Sequence, residues 1–184
     1  PVVVGMGPAG LFAALFLARA GLPPIVLERG RPVEERTRNV EAFWAGGALL
    51  PESNVQFGEG GAGTFSDGKL TTGIHDDRIS AVLDVFVQHG APEDIHYLQK
   101  PHVGTDKLRQ VVSGIRQELI GLGCDVRFGH RLDGITDAGG RIASLTVTAD
   151  GVSYALPCDG LILAPGHSAR DTFDMLLCSG IAIE

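Results

Sequence analysis

The chain begins with a glycine-rich run whose residue types and spacing suit an anion, Gly5-Met6-Gly7-Pro8-Ala9-Gly10. Gly5 permits a sharp turn, and the lack of a side chain at Gly7 lets the backbone approach a diphosphate closely. Gly10 lets the following helix pack closely on a sheet. The N-terminus of that helix then offers free N–H groups and a partial positive charge. The run therefore predicts a dinucleotide-binding site.

The elements around this run support the same interpretation. Val2 to Val4 are consecutive β-branched residues, which is typical of a strand buried on both faces of a parallel sheet. Apolar residues then recur at helical spacing from Leu11 to Ala18, and Gly21 is placed to end that helix. Ile25 to Leu27 form a second apolar run. These residues predict a compact strand–helix–strand unit.

Two charged residues follow the second predicted strand. Glu28 lies at roughly the 20-residue distance from the glycine run at which a carboxylate accepts hydrogen bonds from ribose hydroxyls and repels a 2′-phosphate. Arg29 has two open interpretations: it covers an adenine ring, or it faces water. Because NAD and FAD fit this pattern equally well, these residues alone leave the choice of dinucleotide open.

Periodicity along the rest of the chain predicts further elements of both kinds. Helical spacing favours three more helices, the last capped by Asp106. Asp125 to Phe128 predicts a third short strand. The predicted helices are Val33 to Trp44, Ile79 to His89 and Lys107 to Leu122.

After Leu132 the apolar period changes to two, and Asp150-Gly151 is a hairpin signal, so a three-stranded antiparallel meander is expected. Leu161 to Leu163 predicts a further buried parallel strand. Ser168 and Asp171 then resemble a capping box for a last helix. The expected fold class is α/β: a Rossmann-like βαβ dinucleotide-binding fold, with helices on both faces of the parallel sheet and the β-meander as a crossover.

Several runs resemble known flavoproteins. The stretch from Val2 to Gly30, with GMGPAG and then LERG, resembles the amino-terminal FAD motif of two-dinucleotide-binding-domain (glutathione-reductase-like) flavoproteins. In that superfamily a later strand ends in a small-residue motif, often Ala-Thr-Gly, which closes over the cofactor. The corresponding residues here are Ala164-Pro165-Gly166, so the hydroxyl is lost and backbone contacts remain.

More narrowly, residues 58–70, 100–108 and 163–173 resemble an uncharacterised bacterial family of FAD-dependent dehydrogenases. The resemblance covers nearly the whole chain. It implies a flavoprotein fold with bound FAD, and it brings no settled substrate.

The segment from Gly58 to Leu70 is a second glycine-rich stretch. Gly60, Gly61 and Gly63 permit a loop of bare N–H groups that forms an anion-binding nest. The resemblance implies that this loop runs beside the diphosphate and the flavin. Thr64 and Ser66 are then candidate donors to flavin or ribitol oxygens, and Lys69 is a candidate to stabilise negative charge on the reduced ring. The open alternative is a flexible loop without function.

The histidines and cysteines point to no separate chemistry. His167 follows Gly166 and is, with Lys69, a weak catalytic candidate, while His75 and His102 are candidates to border a substrate pocket. For each histidine an ordinary surface role stays open. The sequence lacks metal-ligand histidine spacing, a GxSxG nucleophile elbow and a CxxC redox pair.

Composition narrows the partners. A net charge of −7 disfavours nucleic acid as a general partner, because phosphate contacts need basic surface. No run reaches the roughly 18 apolar residues of a membrane span, so no membrane partner is expected. The three cysteines, Cys124, Cys158 and Cys178, are far apart and are interpreted as reduced, which predicts a cytoplasmic protein. The oligomeric state stays open.

We expect residues 1–184 to form one FAD-binding domain of a longer chain, with residues 41–104 as an irregular insertion bordering the flavin or substrate site. The expected function is an FAD-dependent oxidoreductase that transfers hydride or electrons between an unknown small molecule and the flavin. NAD(P)H is a candidate electron donor. The alternatives are an NAD-dependent dehydrogenase and a non-catalytic FAD-binding module.

Overall fold

Seven strands and five helices make up the described parts of the chain. The computed structural model describes residues 1–65, 70, 74–98, 103–181 and 183. Short 3₁₀ turns occur at Ala62–Phe65 and Glu93–His96. The strands are β1 (Val2–Val4), β2 (Ile25–Glu28), β3 (Asp125–Phe128), β4 (His130–Asp137), β5 (Ile142–Ala149), β6 (Val152–Pro157) and β7 (Leu161–Leu163). The helices are α1 (Pro8–Arg19), α2 (Val33–Trp44), α3 (Arg78–Gln88), α4 (Thr105–Gly121) and α5 (Arg170–Cys178).

The four parallel strands are ordered β3-β2-β1-β7, which confirms the predicted α/β class. Val4 at the end of β1 pairs with Leu27 and with Leu163. The strands therefore end together. Glu28, Gly5 and Ala164, at the ends of β2, β1 and β7, lie side by side along the same edge of the sheet. This edge is the carboxyl end of the strands, where open α/β sheets bind their ligands.

The two faces of this sheet are covered by different structures. One face packs against helices through a cluster that includes Val3, Val26, Leu15 and Ile115. The other face packs against the antiparallel meander β4-β5-β6 through Val2, Val4, Leu27, Leu145 and Val147. The expectation of helices on both faces is therefore wrong, because the period-two pattern of the meander supplies an apolar face of its own.

Two local predictions near the carboxyl end of the chain are wrong. β7 was expected to be buried, but Ile162 and Leu163 are 37% and 36% exposed because β7 is an edge strand among the strands that the structure describes. No side chain caps α5, which begins after Ala169. The carboxylate of Asp171 is bound by Arg29 instead, so the capping box does not form.

The helix α4 begins at Thr105 without a side-chain cap, so Asp106 lies in its first turn rather than at its cap position. No helix among the described residues combines the length and the apolar character needed to cross a bilayer. Within the same residues, no group of three or more His, Cys, Asp or Glu side chains is arranged to hold a metal ion.

Candidate cofactor site

A cleft with a cavity volume of about 260 Å³ opens at the carboxyl edge of the parallel sheet. Three segments form most of its lining. They are the glycine turn (residues 5–10), the 52–65 loop that follows α2, and residues 164–168 after β7. The meander closes one side with His130, Arg131 and Leu132.

The three glycines of the glycine turn have separate tasks. Gly5 has a φ of 96°, and a Cβ there would lie 2.1 Å from the Ala164 carbonyl oxygen. A Cβ on Gly10 would lie 1.8 Å from the Gly5 oxygen, which confirms the close packing predicted for that position. A Cβ on Gly7 would meet only the Gly61 Cα, at 3.9 Å. Gly5 and Gly10 are thus required by the fold, whereas Gly7 leaves bare backbone facing the cleft.

Glu28 lines the cleft and also holds its base together. The residue is 4% exposed, and each carboxylate oxygen accepts one backbone N–H, from Met6 at 2.7 Å and from Gly30 at 2.7 Å. The sequence did not predict these two hydrogen bonds, which join the ends of β1 and β2. Since a carboxylate oxygen can accept two hydrogen bonds, Glu28 keeps acceptor capacity for a ribose hydroxyl.

Arg29 does not simply face water, because its guanidinium is held on three sides. It donates to Glu52 at 2.6 Å and to Asp171 at 2.8 Å, and it lies 4.3 Å above the ring of Phe57. Burial lowers the pKa of Arg29, but the hydrogen bonds to the two carboxylates outweigh burial and the pKa rises. Arg29 therefore joins β2, the 52–65 loop and α5 at the rim of the cleft, and its contact with an adenine ring stays a prediction.

The 52–65 loop is built around a buried arginine of α2. Arg36 is fully buried, and its guanidinium donates four hydrogen bonds to backbone carbonyls. Their lengths are 2.6 to 2.9 Å, and the acceptors belong to Asn54, Val55, Glu59 and Gly61. Burial lowers the pKa of Arg36 to about 10. Sequence reasoning treated α2 only as a charged helix, although the spacing of Arg36 from Val33 and Val40 marks the inward face.

A buried carboxylate anchors the same loop from its other side. Glu59 is fully buried and accepts hydrogen bonds from the Val33 N–H at 2.7 Å and from Arg116 at 2.8 Å. Its second oxygen, Oε1, has no hydrogen-bond partner in the part of the chain that the structure describes. Burial raises the pKa of Glu59 to about 7.

Arg116 of α4 completes this cluster. It also donates to Glu34 of α2 at 2.6 Å, and that hydrogen bond lowers the pKa of Glu34 to about 2. The loop is thus tied to two helices by ionised groups that are far apart in the sequence.

Most predicted site residues meet at the cleft, and a few do not. Thr64 is fully buried and does not line it, and Ala9, Gly10, Gly63 and His75 lie outside its lining. Ser66, Lys69 and His102 lie outside the described residues. The residues that do line the cleft are Gly5, Gly7, Pro8, Glu28, Arg29, Gly61, Ala164, Pro165, Gly166 and His167. The lining residues missed from sequence include Phe57, His130 and Arg131.

Comparison with known proteins identifies the cofactor. Residues 1–106 match the model of the FAD binding domain family. The chain is also 53% identical over 184 residues to an uncharacterised protein of Clostridium beijerinckii, covering 100% of this chain and 34% of that protein. The chain therefore spans about a third of the length of this curated relative.

Similar solved structures share the fold at low identity. The chain is similar to Thermovibrio ammonificans THI4, with a TM-score of 0.63 and 16% identity over 98% of this chain and 62% of that one. It is also similar to the open conformation of a flavocytochrome c3 fumarate reductase, with a TM-score of 0.56 and 13% identity over 88% and 32% of the two chains. A third is a geranylgeranyl bacteriochlorophyll reductase-like protein of Thermoplasma acidophilum, with a TM-score of 0.55 and 16% identity. The match covers 100% of this chain and 43% of that one.

The cofactor is FAD, and the residues present fit it. Gly7 presents bare backbone to the cleft beside the uncapped start of α1, which suits a diphosphate. Glu28 lines the same cleft with unused acceptor capacity, which suits a ribose. The contacts of individual residues with FAD stay predictions.

Proposed function

Because the chain belongs to the FAD binding domain family, we propose that it is the FAD-holding part of a flavin-dependent oxidoreductase of the two-dinucleotide-binding-domain superfamily. The observation that carries the proposal is the cleft in which Gly7 and Gly61 leave backbone facing backbone next to the Glu28 carboxylate. When bound, FAD supplies two-electron transfer to or from a small-molecule substrate.

The residues of this chain would bind and orient the cofactor. The bare backbone at Gly7 and the N-terminus of α1 would hold the diphosphate. Glu28 would accept from the ribose hydroxyls, and its buried position would keep it in place for that contact. Backbone at Gly61 would lie beside the diphosphate, and backbone at Gly166 would border the rest of FAD.

The finer assignments belong to the same proposal. Lys69 and His167 are candidates to contact the flavin, NAD(P)H is a candidate electron donor, and residues 41–104 are a candidate insertion bordering the substrate. The charge and hydropathy of the sequence favour no nucleic-acid or membrane partner, and its scattered cysteines favour the cytoplasm.

Purification of the full-length protein tests the proposal. We expect a yellow protein with flavin absorbance that survives dialysis, and a released ligand with the mass of FAD. A panel of donors, including NADH and NADPH, should then bleach the flavin under anaerobic conditions. A colourless protein that binds NADH would replace the proposal with an NAD-dependent dehydrogenase. Retained flavin that no donor reduces would leave a non-catalytic FAD-binding module.

A further inference from the structure

Arg36 has a bonding pattern that stability alone does not require. All four of its hydrogen bonds go to backbone carbonyls of the 52–65 loop. Arg36 forms no ion pair with any residue in the described ranges, although burying a charge without a counter-charge is costly. Its positive charge is attracted by the carboxylates of Glu28 and Glu59 without direct contact, and it lies directly behind the loop that lines the cleft.

One of these hydrogen bonds controls a peptide unit at the cleft surface. The Gly61 oxygen accepts from Arg36 Nη1 at 2.9 Å, and Gly61 and Ala62 both line the cleft. Since the peptide is trans, the Ala62 N–H lies on the opposite side of the same unit and faces away from Arg36. This N–H donates no hydrogen bond to the rest of the described chain.

The same peptide unit lies opposite the glycine turn. A Cβ on Gly7 would have the Gly61 Cα as its nearest neighbour, at 3.9 Å, and the Gly60 N–H donates to the Met6 carbonyl at 2.8 Å. The 52–65 loop and the glycine turn are thus in direct backbone contact, and the Gly61–Ala62 peptide lies beside this contact at the surface of the cleft.

We propose that Arg36 is a positioning residue for the diphosphate of FAD: it holds the Gly61–Ala62 peptide so that the Ala62 N–H donates to the anion beside Gly7. The inference rests on the proposed FAD site and adds to it a hydrogen-bond donor from the 52–65 loop. A lysine would keep the positive charge, but its single ammonium has three donors and cannot reproduce the planar fork that reaches four carbonyls.

Binding of ADP and adenosine to the FAD-depleted full-length protein separates this role from a general loss of structure. Only ADP carries the diphosphate, so Arg36→Lys should weaken ADP binding about tenfold, the scale of one hydrogen bond to a charged group. Adenosine binding should stay within about twofold. Arg109→Lys is the matched control, because both guanidinium groups lie over the Phe65 ring, Arg36 at 4.6 Å and Arg109 at 4.9 Å from its centroid. That control should leave both affinities unchanged.

Ala62→Pro removes the N–H without touching Arg36, and it keeps the test decisive if Arg36→Lys does not fold. We expect the same selective loss of ADP binding. Equal losses of ADP and adenosine, or unchanged ADP binding in Ala62→Pro, would overturn the inference while leaving the FAD site intact. A wild-type protein that holds no FAD and binds ADP no better than adenosine would instead overturn the proposed function itself.

Discussion

The two walls of the cleft are built by opposite means. The glycine turn is shaped by missing side chains, since Gly5 and Gly10 allow contacts that any Cβ would block. The 52–65 loop, which faces it, is shaped by large buried charges, with Arg36 and Glu59 both fully buried beneath it. Both walls end by presenting bare backbone to the same space.

The difference shows that a backbone surface for an anion can be specified locally or at a distance. The contacts that require glycine at Gly5 and Gly10 come from within the glycine turn and from Ala164, just after β7. The 52–65 loop depends on side chains from α2 and α4, and Glu59 and Arg116 are 57 positions apart in the chain. We therefore expect substitutions in the glycine turn to affect ligand binding or the packing at the sheet edge. Substitutions in the charged cluster of Arg36, Glu59 and Arg116 should affect the stability of the whole loop.

The largest expected effect is at Gly7. Gly7→Val should abolish FAD retention, because its side chain would occupy the diphosphate position. The apo protein should unfold close to the wild-type temperature, since Gly7 has an ordinary φ of −70° and a Cβ there meets nothing closer than 3.9 Å. Flavin absorbance after gel filtration and thermal unfolding of the apo forms measure the two effects.

Gly10→Ala is the contrasting variant for the same wall. Its Cβ would lie 1.8 Å from the Gly5 oxygen, so the fold itself should lose about 3 kcal/mol or more. A Gly7→Val protein that keeps stoichiometric flavin would contradict the ligand role of Gly7. A Gly10→Ala protein with unchanged stability would contradict the packing role of Gly10.

The next effect concerns the charge that compensates Glu59. Arg116→Met should lower the free energy of unfolding by about 3–5 kcal/mol at pH 8, because a buried carboxylate loses its cationic partner. Arg19→Met is the control. Arg19 also binds a glutamate, Glu118, at 2.7 Å, but this pair is about a third exposed and should contribute about 1 kcal/mol or less. Urea unfolding measures both, and equal losses would show that burial of the cluster has no special role.

A smaller effect should appear in the pH dependence of stability. Burial raises the pKa of Glu59 from 4.5 to about 7, so the folded state binds a proton that the unfolded chain releases. Stability from this group is complete below pH 4.5 and is lost as the pH rises towards 7. Glu59→Gln should flatten the slope of unfolding free energy between pH 5 and 7.

Glu34→Gln serves as the matched variant for that measurement. The pKa of Glu34 is lowered to about 2, so its contribution is complete above pH 4.5 and is lost only as the pH falls towards 2. This variant should keep the wild-type slope between pH 5 and 7. A slope that persists in Glu59→Gln would assign the pH dependence to other groups.

The smallest expected effect is at Thr64, which belongs to the 52–65 loop but does not line the cleft. Its buried Oγ1 has no hydrogen-bond partner among the residues described, so Thr64→Val should change stability by less than about 0.5 kcal/mol and leave FAD affinity within twofold. Thr64→Ser keeps the hydroxyl and loses a buried methyl, so it should be less stable by about 1 kcal/mol. If Thr64→Val loses FAD while Thr64→Ser retains it, the hydroxyl contacts the cofactor after all.

Several parts of the protein follow from the sequence alone. The strand–helix–strand unit, the spacing of Glu28 from the glycine turn and the three-stranded meander were all predicted, and the structure confirms each element. These features depend on periodicity and on glycine geometry, which neighbouring residues determine.

Only the tertiary structure decided what the charged residues do. Arg29 is held by Asp171, which the sequence assigned to a helix cap, and Arg36, which the sequence did not single out, is buried among carbonyls. The second face of the sheet was predicted to be covered by helices, and the structure shows the meander there. The physical reason is that burial and pairing of a charge depend on every element packed around it, and those elements are separated by up to 142 positions along the chain.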